Sequence, residues 1–460
     1  MLIDRSGKRI QQNDHRHDTP PRTRRSLSGW GNSPNAISEV VRPETVEDLI
    51  DLQVPETGYV ARGLGRSYGD AAILGGGLVL EMTAMNSMVL DVDSGVVSAG
   101  AGTSLGDIID VAVEAGWFLP VTPGTRHVTV GGAIAADVHG KNHHREGSLG
   151  QYVDSFDLLT GDGSPITVTP GTNEFAATVG GMGLTGTITR ASLRLKPIES
   201  PWMSVDTVKG EDLHSVMQLL SEADERRTYS VAWVDITKRG RGRGIVTSAE
   251  HARREQKEDT PPTPSTRTLT IPAWIPGGAI NDWSVNAFNQ AWYSMAPQSE
   301  AGRLESLESY FYPLDRISLW NRLYGRRGFI QYQFVVPNGQ EATLINVART
   351  LAGTRTPVAL AVLKRMGASE GGLLSFPQPG WTLALDMPLG DPDLATVLDD
   401  CDRLVAGAGG RVYLAKDARM RADVVGDMYP DLSRWRELRA ILDPRERIRS
   451  NLSERLLLAA

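Results

Sequence analysis

The sequence predicts an α+β protein with two folded parts, on three observations. Up to about residue 200, short β-like runs bounded by turn residues dominate and helical stretches are few. From Trp202 to about Arg403, longer strand patterns alternate with amphipathic helical ones. No repeat of fixed period runs through the chain. At 460 residues the chain is long enough for more than one sizeable core. With 40% hydrophobic and 22% charged residues, it is neither disordered, collagenous nor a coiled coil.

The elements follow in order. Residues 1–28 are polar and rich in Arg and Pro, and read as a flexible arm, with order beginning near Trp30. RPETVEDLIDLQ places Pro and acidic residues ahead of an apolar helical face, and GYVARG after it reads as a strand that runs into glycines. GLVLEM, SMVLDV and GVVSAGAG are strand-like, and SLGDIIDVAVEAG restores a helical period with Ser104 as its N-cap. In the second part WMSVDTV, YSVAWVDI, FIQYQFVV, VALAVLKRM and WTLALDMPL read as strands, and EDLHSVMQLLSEA and EATLINVARTLAG as helices. Residues 238–268 are rich in charge and proline and predict a mobile surface loop. The tail carries a strand-like RVYLAK and amphipathic helices around Trp435 and Leu452.

Charge and cysteine content narrow the function. The net charge is −7, and residues 1–25 carry seven Arg and Lys against three Asp, a solvated arm rather than a nucleic-acid-binding domain. Cys401 is the only cysteine, so neither an internal disulfide nor a cysteine-ligated cluster is available, and redox chemistry would need an organic cofactor. No run approaches the ~18 apolar residues of a membrane span, and the first residues lack a signal-peptide core. The expectation is a cytoplasmic or membrane-surface protein.

Four motifs are candidates for chemistry. Ala61-Arg-Gly-Leu-Gly-Arg-Ser-Tyr-Gly-Asp70 follows a predicted strand, and its three glycines let consecutive N–H groups approach an anionic diphosphate; without a ligand it is simply a glycine-rich turn. Gly181-Met-Gly-Leu-Thr-Gly186 matches G-x-G-x-x-G, but the β-like TITRASLRL follows it, which excludes a nicotinamide Rossmann site and leaves a cofactor wall. Thr122-Pro-Gly-Thr125 and the small residues from Gly131 to Ala136 leave room for a flat ring system, and His139, Lys141, Asn142, His143 and His144 supply donors at its edge. No metal site is expected there, because Gly140 disfavours a helix and no Glu completes H-E-x-x-H. Lys416, in a predicted strand, is on its own a surface lysine.

Taken together, RGLGRSYGD, TPGT, VGGAIAADVHGKNHH, VGGMGLTGTI and YLAK, with AWVD, FYPLD, WNRLYG, FIQYQFVVP and LLSFPQPGW, resemble flavoproteins of the vanillyl-alcohol-oxidase type, in particular the branch that oxidises a prenyl-phosphoryl ribose. The resemblance runs from about Trp30 to the C-terminus. It implies an FAD-binding domain over residues 29–200, completed by a C-terminal segment over 406–460. Between them lies a substrate domain over 201–405, an antiparallel sheet flanked by helices.

In that picture Arg62, Gly63, Leu64, Gly65, Arg66, Ser67, Tyr68 and Gly69 hold the diphosphate together with Gly124 and Thr125. Gly131, Gly132, Ala135, Ala136, His139, Gly140 and Ile188 line the flavin and adenine side, and Tyr413 lies at the ring. Lys141, Trp233, Tyr312, Gln331, Gln333, Lys364, Thr382 and Ala384 match positions around the substrate. The implied reaction oxidises the sugar 2-hydroxyl to a ketone, the first half of an epimerisation that serves cell-wall arabinan. A separate NADH-dependent keto-reductase completes it, and quinone or oxygen reoxidises the FAD. Lys416 is the first choice for the cation and proton role and His139 its rival; Lys141 or Lys364 would bind the lipid phosphate.

Arg66 stands where related sugar oxidases often carry an attachment histidine, which implies non-covalent FAD. Ala384 and Thr382 replace the Cys and Asn common in mycobacterial members, so inhibitors that attack that cysteine should fail here, and the sugar contact differs. The competing readings are an FAD-dependent oxidase of a soluble alditol or aldonolactone and a flavin-binding scaffold without turnover. A polyprenyl substrate implies peripheral membrane contact, for which residues 238–268 and the WIPGGAINDW segment are the candidate rim.

Overall fold

A computed structural model describes residues 20–256, 269–272, 279–368 and 370–459. Short, β-branched-rich runs broken by glycine turns can close only small sheets, and the N-terminal part forms two of them. One has the order Thr23–Ser28, Asn35–Val41, Leu78–Glu81, Tyr59–Arg62, with the first pair antiparallel and the other pairs parallel. The other is antiparallel, in the order Met88–Asp91, Val96–Gly100, Thr187–Arg194, Val153–Leu159, Pro165–Val168. Helix Leu105–Glu114 packs Leu105, Ile108, Ile109 and Ala112 into the core, and its N-cap Ser104 accepts from Asp107 N.

The second part is an eight-stranded antiparallel sheet, in the order Ser299–Ser306, Trp202–Gly210, Arg243–His251, Tyr229–Asp235, Leu360–Met366, Gly380–Pro388, Phe329–Pro337, Arg411–Val412. Helices Leu213–Arg226, Glu341–Ala352 and Leu394–Gly407 pack on it through Val216, Leu220, Leu344, Val347, Leu398 and Val405. Mixed helices and antiparallel sheets make this an α+β fold.

The tail closes the molecule. Arg411–Val412 joins the large sheet, and the residues after it return to the N-terminal part: Tyr59 N donates to Arg447 O at 2.8 Å and Arg449 N to Tyr59 O at 2.9 Å. Arg455 pairs with Asp70 at 2.8 Å, and the fully buried Trp435 donates through Nε1 to Ala177 O at 2.9 Å.

Three boundaries differ from the sequence reading. Order begins before Trp30, because Thr23–Ser28 pairs along its whole length with Asn35–Val41, and the structure does not describe residues 1–19 of the expected arm. The expected loop over 238–268 is, between Arg243 and His251, a central strand whose Ile245, Val246 and Ala249 are buried, on both of its faces, and residues 257–268 lie outside the described residues. The predicted strand through Lys416 ends at Val412; Lys416 N donates to Tyr413 O at 2.9 Å in a turn.

Candidate active site

The two parts meet around a cavity of about 670 Å³, within the range of ligand and cofactor sites. Its floor comes from the glycine loops. Gly63 passes so close to the first turn of helix Val130–Ala135 that a Cβ there would collide with Thr129 Oγ1, and this fixes the two loops as one surface. Gly65 adopts φ +64° with the Arg62 guanidinium beneath it, and that guanidinium donates to Ser28 O at 2.8 Å and Ala72 O at 3.1 Å. Arg66 lies over the Trp30 ring at 4.1 Å.

Arg62, Gly63, Leu64, Gly65, Arg66, Ser67 and Tyr68 line the cavity with Gly124, Thr125, Gly131, Gly132, Ala135, Ala136, His139, Ile188 and Tyr413. Met182, Gly183 and Gly186 add the expected wall, with Met182 N bonded to Ala135 O at 2.8 Å. Gly69 and Gly140 do not line it. A Cβ on Gly69 would strike the Asp417 carbonyl, and one on Gly140 would meet Thr122 O, so both glycines serve close backbone packing.

The opposite wall is one face of the large sheet. Residues directly opposite each other across antiparallel strands share a face, and here the register aligns Trp233, Val362, Ala384 and Gln333 in one row. The flanking rows are Lys364, Thr382 and Val335, and Leu360, Asp386 and Gln331. Gln331, Gln333, Leu360, Val362, Lys364 and Ala384 reach the cavity; Trp233 is one strand beyond, on the same face. Thr382 acts through a neighbour, since Gln333 Nε2 donates to its Oγ1 at 3.2 Å. The same amide lies 3.0 Å from His139 Nε2, and because an amide N–H₂ only donates, the histidine accepts and its neutral ring carries the proton on Nδ1. That Nδ1 is buried and has no partner in the protein.

Lys416 completes the constellation. Its Nζ lies 3.8 Å from the Tyr68 ring centroid, and Tyr68 N donates to Ala415 O at 3.0 Å, so the glycine loop itself holds the lysine turn. Gln331 Nε2 bridges Tyr68 OH at 3.2 Å and Asp386 Oδ1 at 2.6 Å. Burial pushes the Lys416 ammonium down to about 7; the Asp386 charge opposes this and Lys364 adds to it. Burial lowers Lys364 to about 8 and raises Asp386 to about 7. Burial, reinforced by Lys364, His143 and Lys416, holds His139 well below the usual imidazole range.

Two expected substrate residues are turned elsewhere. Lys141 Nζ donates to the Tyr310 carbonyl and sits 4.1 Å over the Tyr310 ring, off the cavity. Tyr312 is buried with its hydroxyl 2.6 Å from Thr122 Oγ1, where it braces the TPGT loop from behind. Nor does the histidine segment present its donors together. Asn142 donates to Pro120 O at 2.7 Å, His143 bonds Ser148 Oγ at 3.2 Å, and His144 bonds Arg227 O at 3.3 Å, leaving His139 alone at the cavity. The sequence reading missed Asp386, and also Trp30, Trp320 and Asp315, which line the rim. The strand alternation of WTLALDMP places Asp386 on the same face as Ala384 and Thr382, and that was the available signal.

The FAD binding domain family matches residues 37–169. Over 456 residues the chain is 36% identical to the decaprenylphosphoryl-β-D-ribose oxidase of Mycolicibacterium smegmatis, covering 95% of this chain and 98% of that protein. The chain belongs to the decaprenylphosphoryl-β-D-ribose oxidase family. It is also 37% identical over 364 residues to an uncharacterized protein of Streptomyces coelicolor, across 76% of this chain and 98% of that one. Its likeness to the alditol oxidase of a Streptomyces species, 30% identical over 176 residues, spans only 37% of this chain and 42% of that enzyme.

As a member of this oxidase family the protein is an FAD-dependent oxidoreductase. The cavity fits FAD on its own geometry. The backbone of residues 63–67 and 124–125 is open to it, the small residues from Gly131 to Ala136 form a wall flat enough for a ring, and His139, whose buried Nδ1 has no partner in the protein, lines it.

Proposed function

We propose that this enzyme oxidises the 2-hydroxyl of a polyprenyl-phosphoryl ribose to a ketone. One observation carries the proposal: a single cavity joins the glycine cradle to Lys416, Lys364, Gln331 and Gln333 on the sheet face. Bound FAD supplies the two-electron acceptor for hydride. Residues 62–68, Gly124 and Thr125 would hold its diphosphate and Gly131, Gly132, Ala135, Ala136 and Ile188 its ring systems, and Tyr413 packs beside His139 at 5.2 Å between centroids.

Lys416 is the base. At about 7 roughly half of its amine is neutral at neutral pH and free to take the hydroxyl proton, whereas His139 has its Nε2 engaged by Gln333 and is held too acidic to compete. His139 therefore stays a neutral ring in the cavity wall. Lys364 takes the phosphate; an arriving anion restores the charge that burial disfavours. Lys141 does not take that role, because it is spent on Tyr310. Gln331 and Gln333 orient the sugar hydroxyls, and Ala384 with Thr382 shapes the wall beside them.

FAD is held without a covalent bond, for Arg66 stands in the glycine loop and Cys401 is buried outside the cavity lining. A keto-reductase using NADH consumes the product, and a quinone or oxygen reoxidises the enzyme. Among the described residues no helix is long and apolar enough to cross a membrane.

Anaerobic absorbance of the holoenzyme tests the reading. Loss of the oxidised-flavin band on addition of a prenyl-phosphoryl ribose analogue is the expected result. A band that stays with the analogue but bleaches with free alditols or lactones assigns a soluble polyol instead.

A further inference from the structure

The Trp and Phe side chains left exposed among the described residues, Trp283 at 80%, Phe288 at 55% and Trp292 at 47%, all sit on one helix, Asp282–Met295, together with Met295 at 73%. Phe288, Trp292 and Met295 follow i, i+4, i+7 spacing and form one stripe, with the Phe288 and Trp292 rings stacked 6.1 Å apart. The helix is firmly seated. Asn289 Nδ2 donates to Asp235 Oδ1 at 2.9 Å, Arg243 Nη1 to Gln290 Oε1 at 3.1 Å, and Tyr293 OH to Gly210 O at 3.3 Å. Two of these bonds reach Asp235 and Arg243, which flank the turn over residues 237–242, and that turn carries Lys238, Arg239 and Arg241, all exposed, on a chain of net charge −7.

We propose that this helix and the basic turn beside it dock the enzyme on a bilayer surface with anionic headgroups. Aromatic and Met side chains inserted at the interface beside a cluster of Lys and Arg are the physical pattern of interfacial binding. The surface is continuous with the site. Ile280, just before the N-cap Asn281, packs against the cluster of Tyr68, Tyr324 and Phe329, as do Trp30 and Trp320, and Tyr68, Trp30 and Trp320 line the cavity. The aromatic helix thus starts beside residues that line the cavity. A second copy of the protein is the weaker occupant: the exposed parts of these four side chains come to roughly 550 Å², short of the ~800 Å² per partner of a stable interface.

The proposal rests on the polyprenyl reading for the reason the enzyme should sit at a bilayer, but its test needs no substrate. Full-length holoenzyme is sedimented with vesicles of phosphatidylcholine alone and of phosphatidylcholine mixed equally with phosphatidylglycerol. Binding is expected to the mixed vesicles and to weaken with salt. The combined variant Phe288→Ser/Trp292→Ser/Met295→Ser should bind at least about tenfold more weakly, and Lys238→Gln and Arg239→Gln roughly fivefold more weakly each, all with unchanged flavin content and unchanged turnover of detergent-dispersed substrate. No binding by the parent protein, or equal binding by the triple variant, overturns the proposal. So does a parent dimer that the triple variant converts to monomer, which would make the stripe a contact between copies. Vesicle binding without flavin bleaching by the ribose analogue would sink the substrate reading and leave this one standing.

Discussion

Replacing Lys416 by Met should raise stability while removing activity. The fall of the Lys416 pKa from 10.5 to about 7 means that folding disfavours its ammonium by roughly 5 kcal/mol. The sign follows from proton counts. Between pH 7 and 10.5 the unfolded chain holds a proton that the folded chain has released, so the parent protein gains stability as pH rises through that window and bears the whole penalty below pH 7. Methionine keeps the stem and removes the charge, and loses a cation–π contact with Tyr68 of about 1–2 kcal/mol. The net gain below pH 7 is then about 3 kcal/mol. With an unfolding entropy of ~2.1 cal/mol/K per residue, a chain of 460 residues converts this to about 3 °C in Tm. Scanning calorimetry of parent and variant holoenzymes should show that rise at pH 6, a smaller one at pH 9 and none once the pH passes the unfolded lysine's 10.5, and flavin reduction by substrate should slow about 10²–10⁴-fold. A variant less stable at pH 6, or a difference indifferent to pH, would refute the buried-charge argument; normal flavin reduction would refute the base assignment.

Four further outcomes are expected. The kcat/KM of the parent should rise with pH to a plateau with an apparent pKa near 7. Because Asp386 holds the Lys416 pKa up, Asp386→Asn should move that rise to lower pH, as stopped-flow flavin reduction would record. Gly63→Ala, whose Cβ collides with Thr129 Oγ1, should purify with a severalfold lower ratio of flavin to protein absorbance. Trp435→Ala should lose about 3–5 kcal/mol in urea titration, from the cavity left and the orphaned Ala177 carbonyl, with the site residues themselves untouched.

Local signals in the sequence located the elements well where one physical cause decides them. Ser104 caps its helix, Phe329–Pro337 and Gly380–Pro388 form strands, and the glycines of residues 63–69 make a loop, since capping, β-branching and freedom in φ act within a few residues. It was less informative where pairing decides. Thr23–Ser28 looks like part of a polar arm because edge strands need little apolar content, and only its partner Asn35–Val41 makes it a strand. Charge in residues 238–243 suggested a loop, whereas the buried strand that follows is set by two neighbours in the sheet.

The site divides in the same way. The sequence by itself determined the glycine cradle and the family, because backbone approach to a cofactor demands particular residues at fixed spacing. Tertiary structure decided which charged side chains work there. Lys141 and Lys416 are the same residue type in equally suggestive motifs. One is drawn onto the Tyr310 carbonyl, and the other is carried to the cavity by the Tyr68–Ala415 backbone bond and set beside Asp386. Burial and neighbouring charge give a lysine its chemistry, and both come from segments outside its own motif: the Tyr68 loop near the start of the chain and the strand that carries Asp386.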